Sequence, residues 1–148
     1  MITMKPTFNL SANIENGFAE GAQYIVTPNA QKAVYNLVND FHAGIHSFTI
    51  IGSYGTGKSS FLLALESDLK RGTKKPFLLE PKTLSRSPEF EIINIVGDYV
   101  ELSTLICRGI NVDTSANSVL DELKAYYNRC QEQNKFLVIV IDEFGKVL

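Results

Sequence analysis

The sequence predicts an α/β fold built on a mostly parallel sheet, and three observations predict it. Short apolar runs rich in β-branched residues alternate with longer segments of helical periodicity. One run, 46–51, leads into the glycine-rich stretch IGSYGTGKSS, which opens onto a helix. Another, FLVIVI at 136–141, is apolar on both faces, as a buried strand is, and ends in an acidic pair. At 148 residues the chain is long enough for one domain with one core.

The elements follow in order. Residues 1–26 are mixed, with a polar middle, and read as an N-terminal arm or linker ahead of a domain spanning 27–148. TPNAQKAVYNLVNDFHAG reads as a helix. Thr27 can cap it, Pro28 suits its first position, and Ala30, Ala33, Val34, Leu37, Val38 and Phe41 make one apolar face ended by Gly44. HSFTII at 46–51 reads as a strand. KSSFLLALESDLKRG reads as a helix with Lys70 and Arg71 in its last turn and Gly72 as stop. Residues 73–88 read mostly as loop. FEIINIV at 90–96 is a second strand, and DYVELSTLICRG a short helix. SANSVLDELKAYYNRCQEQNK is a helix capped by Ser115 or Ser118, and FLVIVI is the last strand.

Ligands of parallel α/β sheets bind at the carboxyl ends of the strands. Both polar clusters, 52–60 and 142–143, fall at such ends. The segment Gly52, Ser53, Tyr54, Gly55, Thr56, Gly57, Lys58, Ser59 fits G-x-x-x-x-G-K-[ST]. Glycines let successive N–H groups point into one concavity that holds anionic oxygens. The helix that starts near Lys58, and includes Ser60, adds its positive end. Lys58 carries a compact charge to the β- and γ-phosphates of a nucleotide, and the Ser59 hydroxyl suits Mg²⁺. Asp142 is placed to hold Mg²⁺ through a water and Glu143 to orient the attacking water.

These residues resemble a known group. GSYGTGKS is similar to a Walker A motif and FLVIVIDE to a Walker B motif with its adjacent glutamate. The pair resembles the additional-strand P-loop ATPases, which include the AAA+ and STAND families. The phrases TIIGSYGTGKSSFLLALE and IDEFGK look most like bacterial AAA-type ATPases of phage-defence systems. The resemblance covers roughly 24–71 and 136–146. It implies a three-layer P-loop sandwich, ATP as substrate, Mg²⁺ as cofactor, a homo-oligomer or larger complex, and YIVTP at 24–28 near the adenine.

It also implies what this sequence departs from. Ser59 of the first motif and Asp142 of the second stand 83 positions apart, so 73–118 reads as an insertion. In the group, a strand later in the chain lies between the Walker A and Walker B strands. It is expected to be absent here, together with sensor, arginine finger and helical lid, leaving the sandwich C-terminally incomplete. The 148 residues are then expected to bind nucleotide poorly, to hydrolyse it negligibly and to self-associate through bare edges. Arg71, Arg86, Arg108 and Arg129 are the candidates for a finger acting in trans.

Composition bounds the alternatives. A net charge of −2 gives no global pull toward nucleic acid, and no apolar run is long enough to span a bilayer. Cys107 and Cys130 fit neither a disulfide framework nor a zinc spacing, and a reducing cytoplasm suits them. His42 and His46 read as solvated or capping residues, and Tyr126 and Tyr127 as core or interface aromatics. Three functions stay open: Mg²⁺-dependent ATP hydrolysis, a STAND-like nucleotide-gated switch, and a nucleotide-binding fragment without turnover. The GTPase NKxD motif is missing, since the chain reads NKF at 134–136, and this favours ATP.

Overall fold

The computed structural model describes residues 14, 17–18, 23–70, 75–80, 84–86, 89–113 and 118–147. Expectations for most of the 1–26 arm, for Arg71 and Gly72 at a helix end and for Ser115 as a cap lie outside the described residues.

Helix α1 runs Pro28–His42. The Thr27 hydroxyl accepts a hydrogen bond from the Ala30 amide at 3.2 Å, which satisfies one of the free donors of the first turn. Val34 is buried, with Ala30 and Val38 against the same cluster, while Ala33 stays exposed. Helix α2, Lys58–Leu69, starts directly after the glycine loop. It is buried on several sides, through Phe61, Leu63, Ala64, Glu66, Asp68 and Leu69. Its two buried carboxylates have partners, as burial of charge requires. Asp68 accepts from the amides of Phe77 at 3.2 Å and Leu79 at 2.7 Å, which pins the 75–80 loop to the helix. Glu66 accepts from Lys70 and from Asn94 on Oε2 alone, and its buried Oε1 has no hydrogen-bond partner among the described residues.

Strand β1, Glu89–Val96, leads through α3, Leu102–Gly109, and α4, Val119–Glu132, to strand β2, Lys135–Asp142. The strands pair in parallel and in unbroken register, from Glu89 opposite Lys135 to Val96 opposite Asp142. Ile93 and Ile95 pack with Leu105 and Ile110 into one cluster, backed by Leu123, Tyr126 and Ile139. Gly109 lets α3 sit directly on the sheet, because a Cβ there would come within 3.0 Å of the side chains of both Ile93 and Ile95. Asn94, between those two isoleucines, bonds instead to Glu66 of α2. Successive strand residues point to opposite faces, so α2 and α3 flank the sheet on opposite sides.

The expected helix at 98–109 starts only at Leu102. The Asp98 carboxylate takes the Tyr99 amide and the Asp98 carbonyl the Val100 amide, a local turn that competes with helix. Asn134, left-handed at φ 55°, ends the turn after α4 and delivers the chain straight into β2.

Two expectations are corrected. The strand expected over 46–51 does not form, and every residue from 45 to 57 is exposed, with Ile51 at 91%. Among the described residues no backbone hydrogen bond joins 46–51 to another segment. β-Branched residues favour a strand only where a neighbouring edge accepts them. β2 pairs with β1 along one edge, and among the described residues its other edge stays open, yet 46–51 does not add to it. With that edge open, β2 is half-buried from Lys135 to Ile141, where a strand buried on both faces was expected. The fold is mixed α/β, and among the described residues the sheet has two parallel strands.

Candidate functional site

The 52–60 loop has the backbone its glycines permit. Gly55 and Gly57 adopt φ values of 78° and 81°, left-handed conformations that a side chain disfavours. The Thr56 hydroxyl donates to the Ser53 carbonyl at 2.8 Å and braces the turn. The Lys58 ammonium curls back over the loop and donates to the carbonyls of Gly52 at 2.9 Å and Ser53 at 2.8 Å. Tyr54 projects from the loop almost fully exposed. Gly57 caps α2, whose first turn carries Lys58, Ser59 and Ser60.

At the end of β2 stands Asp142, only 8% exposed. The Ser59 hydroxyl donates to Asp142 Oδ2 at 2.5 Å, across 83 positions of sequence. Asp142 Oδ1 accepts from the Glu143 amide at 2.9 Å, so both carboxylate oxygens are held. The two polar clusters thus meet, although no strand lies between the segments that lead into them. A hydroxyl and a carboxylate are hard oxygen donors, the set Mg²⁺ takes when it keeps several waters. Among the described residues no three His, Cys, Asp or Glu side chains gather into a metal cluster.

Glu143 is placed differently. Its backbone is left-handed at φ 53°, uncommon for a residue with a side chain. Its carboxylate is paired with Lys146, one turn along the short 3-10 turn Phe144–Lys146. That hydrogen bond raises the Lys146 ammonium above its ordinary pKa. The Gly97 amide donates to the Asp142 carbonyl at 2.8 Å, and a Cβ on Gly97 would collide with the Glu143 carbonyl oxygen. Glu143 and Lys146 line a cleft of about 440 Å³ beside β1 and α3, and no residue of the 52–60 loop lines it. Asp142 therefore faces the loop through Ser59, while Glu143 is tied to Lys146.

Lys146 escaped the reading of the sequence. Its signal is present in DEFGK, where it lies three positions after Glu143, a spacing that brings side chains together in a helical turn. Of the arginines considered as fingers, Arg129 lies over the Tyr126 ring at 5.2 Å, and Arg108 lines the cleft beside Glu143. Both cysteines are buried free thiols. Among the described residues no helix is long and apolar enough to cross a membrane. No protein-family model, curated protein or solved structure matches the chain.

Proposed function

We propose that this chain carries, at the 52–60 loop, the Mg·ATP site of an AAA-type ATPase, and that hydrolysis above a negligible rate needs a partner. The observation that carries the reading is the Ser59–Asp142 hydrogen bond of 2.5 Å. It gathers a hydroxyl and a carboxylate beside a loop whose amides and helix end suit phosphate. The metal, when bound, neutralises charge on the β- and γ-phosphates. Lys58 exchanges two loop carbonyls for phosphate oxygens, a stronger partner for an ammonium. Glu143 orients the attacking water once its carboxylate leaves Lys146. A neighbouring copy of the chain is the natural source of an arginine finger, and the exposed 45–51 run supports association.

One observation favours a second reading, a nucleotide-gated switch that binds ATP and turns it over slowly. Glu143 is engaged with Lys146, and a carboxylate held by an ammonium is a weaker base. Turnover separates the two readings, and both require binding. Lys58→Ala is expected to weaken Mg·ATP binding at least tenfold, about 1.4 kcal/mol, in calorimetry. Equal affinity of variant and wild type would reject both.

A further inference from the structure

The cleft beside Glu143 is built more carefully than a nucleotide loop on the other side of Asp142 requires. Its volume, about 440 Å³, lies in the range of small-molecule sites, about 300 to 1,000 Å³. Its walls are fixed by two glycines. Gly109 seats α3 against Ile93 and Ile95, and Gly97 seats the end of β1 against the Glu143 backbone. Four charged residues line it: Asp98, Arg108, Glu143 and Lys146. The two acids are engaged, Asp98 with the Tyr99 amide and Glu143 with Lys146. Arg108 is exposed and, among the described residues, makes no ion pair. The negative end of α3 accounts for a cation in its last turn. Lys146 is matched by Glu143, which leaves Arg108 as the cation of the cleft that no acid pairs among the described residues.

We propose that this cleft is a second ligand site, which takes a small molecule bearing an oxyanion, phosphate or carboxylate, held by Arg108 and Lys146. The planar guanidinium offers two parallel N–H groups to two oxygens of one oxyanion. Lys146 contributes a point charge by exchanging one carboxylate partner for another anion. That exchange is easy, because an exposed ion pair is weakly held and screened by salt. An occupied cleft takes Lys146 away from Glu143 and so frees the carboxylate. This coupling rests on the ATPase reading above, whereas the site itself does not.

The test is a ¹⁵N NMR titration of the full chain at constant ionic strength, with inorganic phosphate in one arm and acetate in the other. The amides of Gly97 and Gly109 report the cleft, and those of Gly55 and Gly57 report the nucleotide loop. Saturable shifts at Gly97 and Gly109 are expected, and they should persist in Lys58→Ala, where the loop is impaired. Arg108→Gln should weaken them at least tenfold, Lys146→Gln should also weaken them, and Arg108→Lys should fall between wild type and Arg108→Gln. A response to phosphate alone assigns a phosphoryl ligand, and a response to acetate admits a carboxylate. Both side chains are exposed, and the spectrum itself reports whether each variant is folded. Shifts confined to Gly55 and Gly57, or shifts at Gly97 and Gly109 that Arg108→Gln leaves unchanged, would overturn the proposal. Failure of the ATPase reading has a separate signature: Gly55 and Gly57 would not respond to Mg·ATP.

Discussion

Asp142 and Glu143 are neighbours with opposite placements, and a single residue's substitution can separate their roles. Asp142 is buried and fixed by Ser59 and by the next amide. Glu143 is half-exposed and held by one flexible ammonium. Under the ATPase reading, Glu143→Gln keeps nucleotide affinity and lowers turnover about a hundredfold, on the order of 3 kcal/mol in the barrier. Steady-state phosphate release beside calorimetric binding measures both, and wild-type turnover in the variant would remove Glu143 from the mechanism. Gly97 supports the same pair from β1. Gly97→Ala forces a methyl into the Glu143 carbonyl and should cost about 2 kcal/mol of stability, the usual penalty of overpacking. A thermal melt that matches wild type would show that the backbone there yields freely.

At the scale of elements, β1, β2 and α4 are tied by one carboxylate. Glu91 accepts from Lys135 at 3.0 Å and from Tyr126 at 3.1 Å. The Lys135 hydrogen bond is the main reason the Glu91 carboxyl lies below its ordinary pKa, and the Tyr126 bond adds to it. A lowered pKa in the folded state makes the stabilisation fully present above the ordinary glutamate value of about 4.3. It is lost as pH falls through the folded value. Glu91→Gln should therefore be less stable than wild type at pH 7, and the difference should close in acid below that value. Urea unfolding at the two pH values measures it. A deficit that stays constant with pH would assign the effect to packing rather than charge. The pair is about one-third exposed, so salt should shrink the deficit as well.

Across the whole molecule the unusual feature is apolar surface beside an open sheet. Ile45, Phe48, Ile50 and Ile51 are exposed in one short segment, and among the described residues β2 has no partner on its second edge. A two-stranded sheet is marginal without further cover, and bare edges are templates for pairing. The chain is therefore expected to self-associate with increasing concentration, and Ile51→Lys should raise the dissociation constant at least tenfold by placing a charge on that surface. Sedimentation velocity over a concentration series tests it. A wild-type chain that stays monomeric throughout would show that this surface is tolerated.

The sequence by itself determined the elements whose causes are local. Thr27 and Pro28 start α1 through a side-chain cap and a fixed φ, and the glycines of 52–57 shape a loop that flows into α2. The alternation of apolar runs and helical faces foretold a parallel sheet, and the two polar clusters were legible as lying at strand carboxyl ends on one sheet edge. Tertiary structure decided what depends on a neighbour. The 46–51 run has strand-forming residues yet pairs with no strand among the described residues, and β2, whose second edge stays open there, is half-buried for that lack. The Ser59–Asp142 bond spans 83 positions, a contact that spacing alone does not impose. The cleft that Glu143 and Lys146 share with Arg108 forms because Gly109 seats α3 on Ile93 and Ile95 while Gly97 seats the end of β1 against the Glu143 backbone. Local propensity is written residue by residue, whereas a partner across space exists only once the chain has packed.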